Sequence, residues 1–98
     1  MSISLEEYKA AMTLYCEKFP DEVKTVQGAY EKLSKEQLEE MEQVEIKALN
    51  GDEECVEKVR KTYKEYNISI TKETEEHMIQ CFDAKYHELL GKFLSKFK

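Results

Sequence analysis

The stretch EEHMIQCFDAKYHELL, residues 75–90, holds both histidines of the chain and one of its three cysteines. His77 and Cys81 stand four residues apart, a spacing that sets two side chains on one side of a helix. Half of a metal site could use it, as could a thiol activated by an adjacent imidazole. Ordinary helix packing uses it too. A structural zinc site takes four ligands, commonly in paired short spacings. The other candidates, Cys16 and Cys55, are single residues on separate segments, within or at the edge of an apolar arc. There a free cysteine acts as a small hydrophobe. His77 and His87 are too far apart along one helix to share an ion. A Cys81–His77 dyad has no third residue to orient the imidazole and no oxyanion donor. The stretch therefore carries no expected catalytic residue, cofactor or metal. On a wheel centred on Phe82 and Phe93, His77 faces water and Cys81 falls beyond the apolar edge. Cys81 is expected to react with thiol reagents in the native protein, and Cys55 only after unfolding.

Paired carboxylates are abundant, but on charged faces, where ordinary pKa values make poor general acids. Glu45 differs. It lies at the angular middle of Leu38, Met41, Ala48 and Leu49, where a core residue belongs. An edge position or a bond to a tyrosine would account for it, and so would a half-buried carboxylate at a ligand pocket. Glu45→Leu separates a misfit, whose removal raises the melting temperature, from a carboxylate held by a specific partner. The chain has no Gly-rich phosphate loop, nucleophile elbow, His-Glu-x-x-His motif or calcium loop. It reads as a protein other than an enzyme.

The residues just weighed must be positioned by a single domain, 1–98, of 98 residues. With 41% hydrophobic and 37% charged residues, three Gly and one Pro, the composition favours helices. No run approaches a membrane span, and MSISLEEYKAAM places Glu6 and Glu7 where a secretion signal is apolar. An odd number of cysteines, three, points to a reduced, cytoplasmic protein. The net charge of −6 argues against nucleic acid. Residues 36–57 hold nine acids against Lys47 alone, a possible footprint for a basic partner.

Helical periodicity recovers five segments. SLEE at 4–7 and SKEQ at 34–37 read as capping boxes opening the first and third. Pro20 ends the first run, and the second follows from near Asp21. In NGD, Gly51 suits a left-handed stop and Asp52 caps the fourth. Ile68 and Ile70 lie in a loop that plugs the bundle end, and Thr71 caps a last helix reaching residue 97. The fold class is all-α: a compact bundle of four to five amphipathic helices with a long C-terminal helix.

That last helix would be about 39 Å long and would outreach its neighbours. Leu90, Phe93, Leu94 and Phe97 would then need cover from stacked helices or from a second copy in a homodimer. A membrane touching Lys92, Lys96 and Lys98 is the third cover, though so short a segment binds weakly alone. Burial against protein is the expectation. Helix three shows Glu36, Glu39, Glu40 and Glu42 with Ile46 apolar among them, an anchor within a charged rim. Two functions follow: a small acidic protein-interaction module (regulator, inhibitor or immunity-type protein) docking a helix face on a larger partner, or a bundle that carries a small apolar ligand. The first is the leading expectation.

Overall fold

A computed structural model describes residues 2–97 of the chain. Among them are six α-helices and no strands: α1 (Leu5–Lys18), α2 (Lys24–Tyr30), α3 (Lys35–Leu49), α4 (Glu53–Glu65), α5 (Lys72–Gln80) and α6 (His87–Ser95), with a 3-10 turn over Ala84–Tyr86. The all-helical fold class stands.

Local chemistry sets most boundaries. Ser4 accepts from the Glu7 N–H while the Glu7 carboxylate accepts from the Ser4 N–H, and Ser34 and Gln37 repeat this capping box at α3. Asp52 caps α4 and Thr71 caps α5. Two helices end in Schellman motifs. After α3, Gly51 at φ 107° lets the Asp52 N–H reach the Lys47 carbonyl. After α4, Asn67 takes the left-handed position at φ 56°, and the Ile68 N–H donates to Tyr63 at 2.8 Å. Asn tolerates that backbone region better than most residues.

Helix α3 is the hub, packing against α1, α4 and α6, while α5 packs on α1 and α6. The main core gathers Leu49, Val56, Val59, Phe82, Tyr86, Leu90 and Leu94. A smaller cluster forms around Tyr15, Val23 and Cys81. Ile3 is buried, and its backbone exchanges two hydrogen bonds with the Asn50 side chain, at 2.8 and 3.1 Å.

The long C-terminal helix is not found. It breaks at residues 81–83 into α5 and α6. Asp83 leaves the helical region (φ −57°, ψ 141°) and its carboxylate accepts from the Lys85 N–H, a capping role this residue type favours. The reversal lets Phe82, within the break, and Tyr86, just after it, each 5% exposed, enter the core. Burial of two aromatic side chains outweighs continuation of one apolar stripe.

The segment has no overhang. Leu90, Phe93 and Leu94 are buried within the chain itself, so the residues offered to a second copy or a membrane are covered by their own fold. Phe97 is half-buried, packed edge-on against Phe93 and at a tilt against Tyr63, with the Arg60 guanidinium over its ring. Lys96 pairs with Glu53 at 3.2 Å, and its carbonyl accepts from Arg60. Lys98 lies outside the described residues. Ile46 is also corrected: it is 9% exposed and turned inward, while Glu36, Glu39 and Glu40 remain in solvent. Ile46 therefore does not stand as an exposed apolar anchor on the acidic face.

Candidate functional site

The opening pair is resolved by the break in the last helix. Cys81 caps α5 and points inward, 8% exposed, its thiol donating to the His77 carbonyl. The expected exposed thiol is therefore wrong, because the wheel assumed that the helix continues. His77 does not face open water either. It stacks on Phe19 at 4.0 Å between ring centroids, 5° from parallel, and its Nδ1–H donates to Glu22 at 2.6 Å. Glu22 in turn accepts from the Tyr15 hydroxyl at 3.0 Å. His87 donates from Nε2 to the Phe82 carbonyl at 2.9 Å. Among the described residues no three His, Cys, Asp or Glu side chains converge as metal ligands, and no helix is long and apolar enough to cross a membrane.

The thiols follow from this burial. Loss of solvation pushes both Cys16 and Cys81 above the ordinary thiol range, and Glu17 adds to the rise at Cys16 while Lys18 opposes it at Cys81. Cys16 is the half-buried one, and Cys55 and Cys81 are both buried. In timed labelling of the native protein with a thiol reagent, Cys16 is expected to react first, slowly, with Cys55 and Cys81 protected until unfolding. Native labelling of Cys81 at the rate of Cys16 would contradict this geometry.

The chemistry collects at Glu45. Helix α3 presents it toward α1 and α2, where Tyr8 donates its hydroxyl to one carboxylate oxygen and Tyr30 donates to the other at 2.9 Å. Removal from water raises the Glu45 pKa; the two hydroxyl donors oppose the rise, and neighbouring Glu42 adds to it. The hydroxyls of Tyr8 and Tyr30 are pushed well above their ordinary value by the same burial and by the Glu45 charge, as is that of Tyr63 on α4. The tyrosines therefore keep their protons and act as donors. Both uses weighed for Glu45 from the sequence thus meet at this residue: it bonds tyrosines and it lines a pocket.

That pocket is a cleft of about 690 Å³. Its floor is Tyr8, Tyr30, Glu45 and Tyr63, and its walls include Met12, Met41, Met78, Val26 and Leu38. Ile68 and Ile70, expected to plug the bundle end, form part of the wall. Lys9, Thr13, Gln27 and Ser69 are solvent-exposed and mark the rim. A second cavity of about 250 Å³, between α3 and α4, reaches Glu45, Met41 and Tyr63 from the other side. The volume of the larger cleft lies in the range of small-molecule sites, and its apolar lining with a few convergent polar groups has their character.

Of the residues singled out from the sequence as partner-binding, none belongs to this cleft except Glu42. It lines the wall and pairs with Lys9 at 3.2 Å. The sequence alone marks Tyr8 and Tyr30 as helical packing positions. The one available signal was Glu45 on an apolar face, and no periodicity shows which tyrosines reach it. No protein-family model, curated protein or solved structure matches the chain.

Proposed function

We propose that this protein binds a small, largely apolar ligand in the cleft over Glu45, as a carrier or ligand-sensing bundle. The observation that carries the reading is the cleft of about 690 Å³, walled by apolar side chains and floored by a hydrogen-bonded carboxylate. Three methionines in the wall suit a ligand of adjustable shape. Three free cysteines suit a reducing compartment such as the cytoplasm.

Docking on a basic protein is the second reading. It is supported by Glu36, Glu39 and Glu40, exposed along α3. It lacks an apolar hot spot, because Ile46 is buried.

Calorimetric titration with decanol, a neutral apolar probe, tests the cleft. One site per chain is expected, and Val26→Trp, which fills the cleft from α2, should abolish the heat while the helical circular dichroism remains. Equal binding by both proteins would remove the cleft from the account.

A further inference from the structure

The cleft is lined by a carboxylate, Glu45, that the described residues leave without a cation. Glu45 takes part in no ion pair among the described residues. Its partners are two neutral hydroxyls, on Tyr8 and Tyr30. Lys9, the lysine on the rim, is held by Glu42 at 3.2 Å. A desolvated carboxylate without a counter-charge is costly, and proteins ordinarily pair it. Here the missing partner can arrive from the cleft, which Glu45 lines together with the rings of Tyr8, Tyr30 and Tyr63. An aromatic frame around a carboxylate is the combination that attracts an ammonium group, through charge and through the ring quadrupole. A ligand carboxylate or phosphate would meet repulsion at the same place. The net charge of −6 favours approach of a cation in the same sense.

We infer that the cleft recognises a cationic amphiphile, an amine or quaternary ammonium head seated on Glu45 among Tyr8, Tyr30 and Tyr63 with an apolar tail along the methionine wall. This rests on the ligand-cleft reading and specifies its chemistry. Tyr8 and Tyr30 then also act as positioning residues, each hydroxyl fixing one oxygen of the carboxylate.

Three probes of one chain length separate the possibilities: decyltrimethylammonium, decanol and decanoate, each titrated calorimetrically below its micellar concentration. The ammonium is expected to bind at least about tenfold more tightly than decanol, and decanoate more weakly than either. Glu45→Gln keeps an acceptor for a tyrosine hydroxyl and should erase the ammonium's advantage while leaving decanol binding in place. Tyr63→Leu, which removes one ring of the frame, should reduce the ammonium's advantage over decanol and serves as the second variant if Glu45→Gln loses its helical signal. An undiminished advantage there would remove the aromatic frame from the proposal. Decanol binding with no ammonium preference overturns the cationic head and leaves the cleft standing. Failure of all three probes overturns the cleft itself.

Discussion

Leu94→Ala is expected to lower the stability of the fold by about 2–5 kcal/mol, the range for truncating a fully buried leucine. Leu94 is 0% exposed and sits in the main core with Leu90, Phe93 and Val56. A domain of this size has roughly 5–15 kcal/mol in total, so the loss is a large share. Each kcal/mol corresponds to about 4–8 °C in Tm, and thermal unfolding followed by circular dichroism reads it directly. The comparison is Leu14→Ala in α1. Leu14 is 36% exposed, and its truncation should change stability by about 0.5 kcal/mol or less. If Leu94 were instead covered by a second copy or a membrane, its loss would change the sedimenting mass or vesicle binding and leave Tm of the isolated chain near that of the wild type.

Glu45→Leu is the second large effect, and its size depends on pH. The replacement leaves the hydroxyls of Tyr8 and Tyr30 without their acceptor, at about 1–3 kcal/mol for each that water does not reach. It also removes a carboxylate whose folded-state pKa is raised above its ordinary 4.5 by burial. A raised carboxylate pKa means that the fold holds the proton more tightly than the unfolded chain. The stability this group contributes is full below the unfolded value and is lost as pH rises through the folded value. The leucine variant is therefore expected to fall furthest behind the wild type in acid, with the gap narrowing toward neutrality. Glu45→Gln, which keeps an acceptor and drops the charge, should gain on the wild type between about pH 4 and 7. Chemical denaturation at both pH values checks this, with Tyr8, Tyr30, Tyr63 and Glu42 the titratable groups around the carboxylate. A leucine variant more stable than the wild type at pH 4 would mean that the tyrosine bonds contribute nothing.

Much of the local structure is legible in the chain because it is written in short-range chemistry. The Ser4 and Ser34 boxes, the Asp52 and Thr71 caps and the left-handed Gly51 occur where their side chains require them. The C-terminal half is legible only as apolar periodicity, and periodicity does not distinguish one long helix from two that fold back. Asp83 was the cue to the break. A lone Asp inside a helical run is also an ordinary surface residue, so what decides is the burial of Phe82 and Tyr86 against distant segments. The same limit hid the site. Glu45 was conspicuous on its own helix, but Tyr8 and Tyr30 lie 37 and 15 residues away in sequence. Only tertiary packing brings them to one carboxylate. Ile46 failed in the opposite way: the wheel gave α3 one apolar face, whereas α3 packs against α1, α4 and α6 and buries more than one.

The most direct measurement of the central claim is a methionine-methyl NMR titration with decanol. Met12, Met41 and Met78 line the cleft from α1, α3 and α5, so one spectrum reports on three of its walls. The account predicts saturable shifts at all three methyls, with a common dissociation constant, and their disappearance in Val26→Trp. Methyls that stay in place through the titration, while amides of Glu36, Glu39 and Glu40 on the outer face of α3 respond instead, would contradict it.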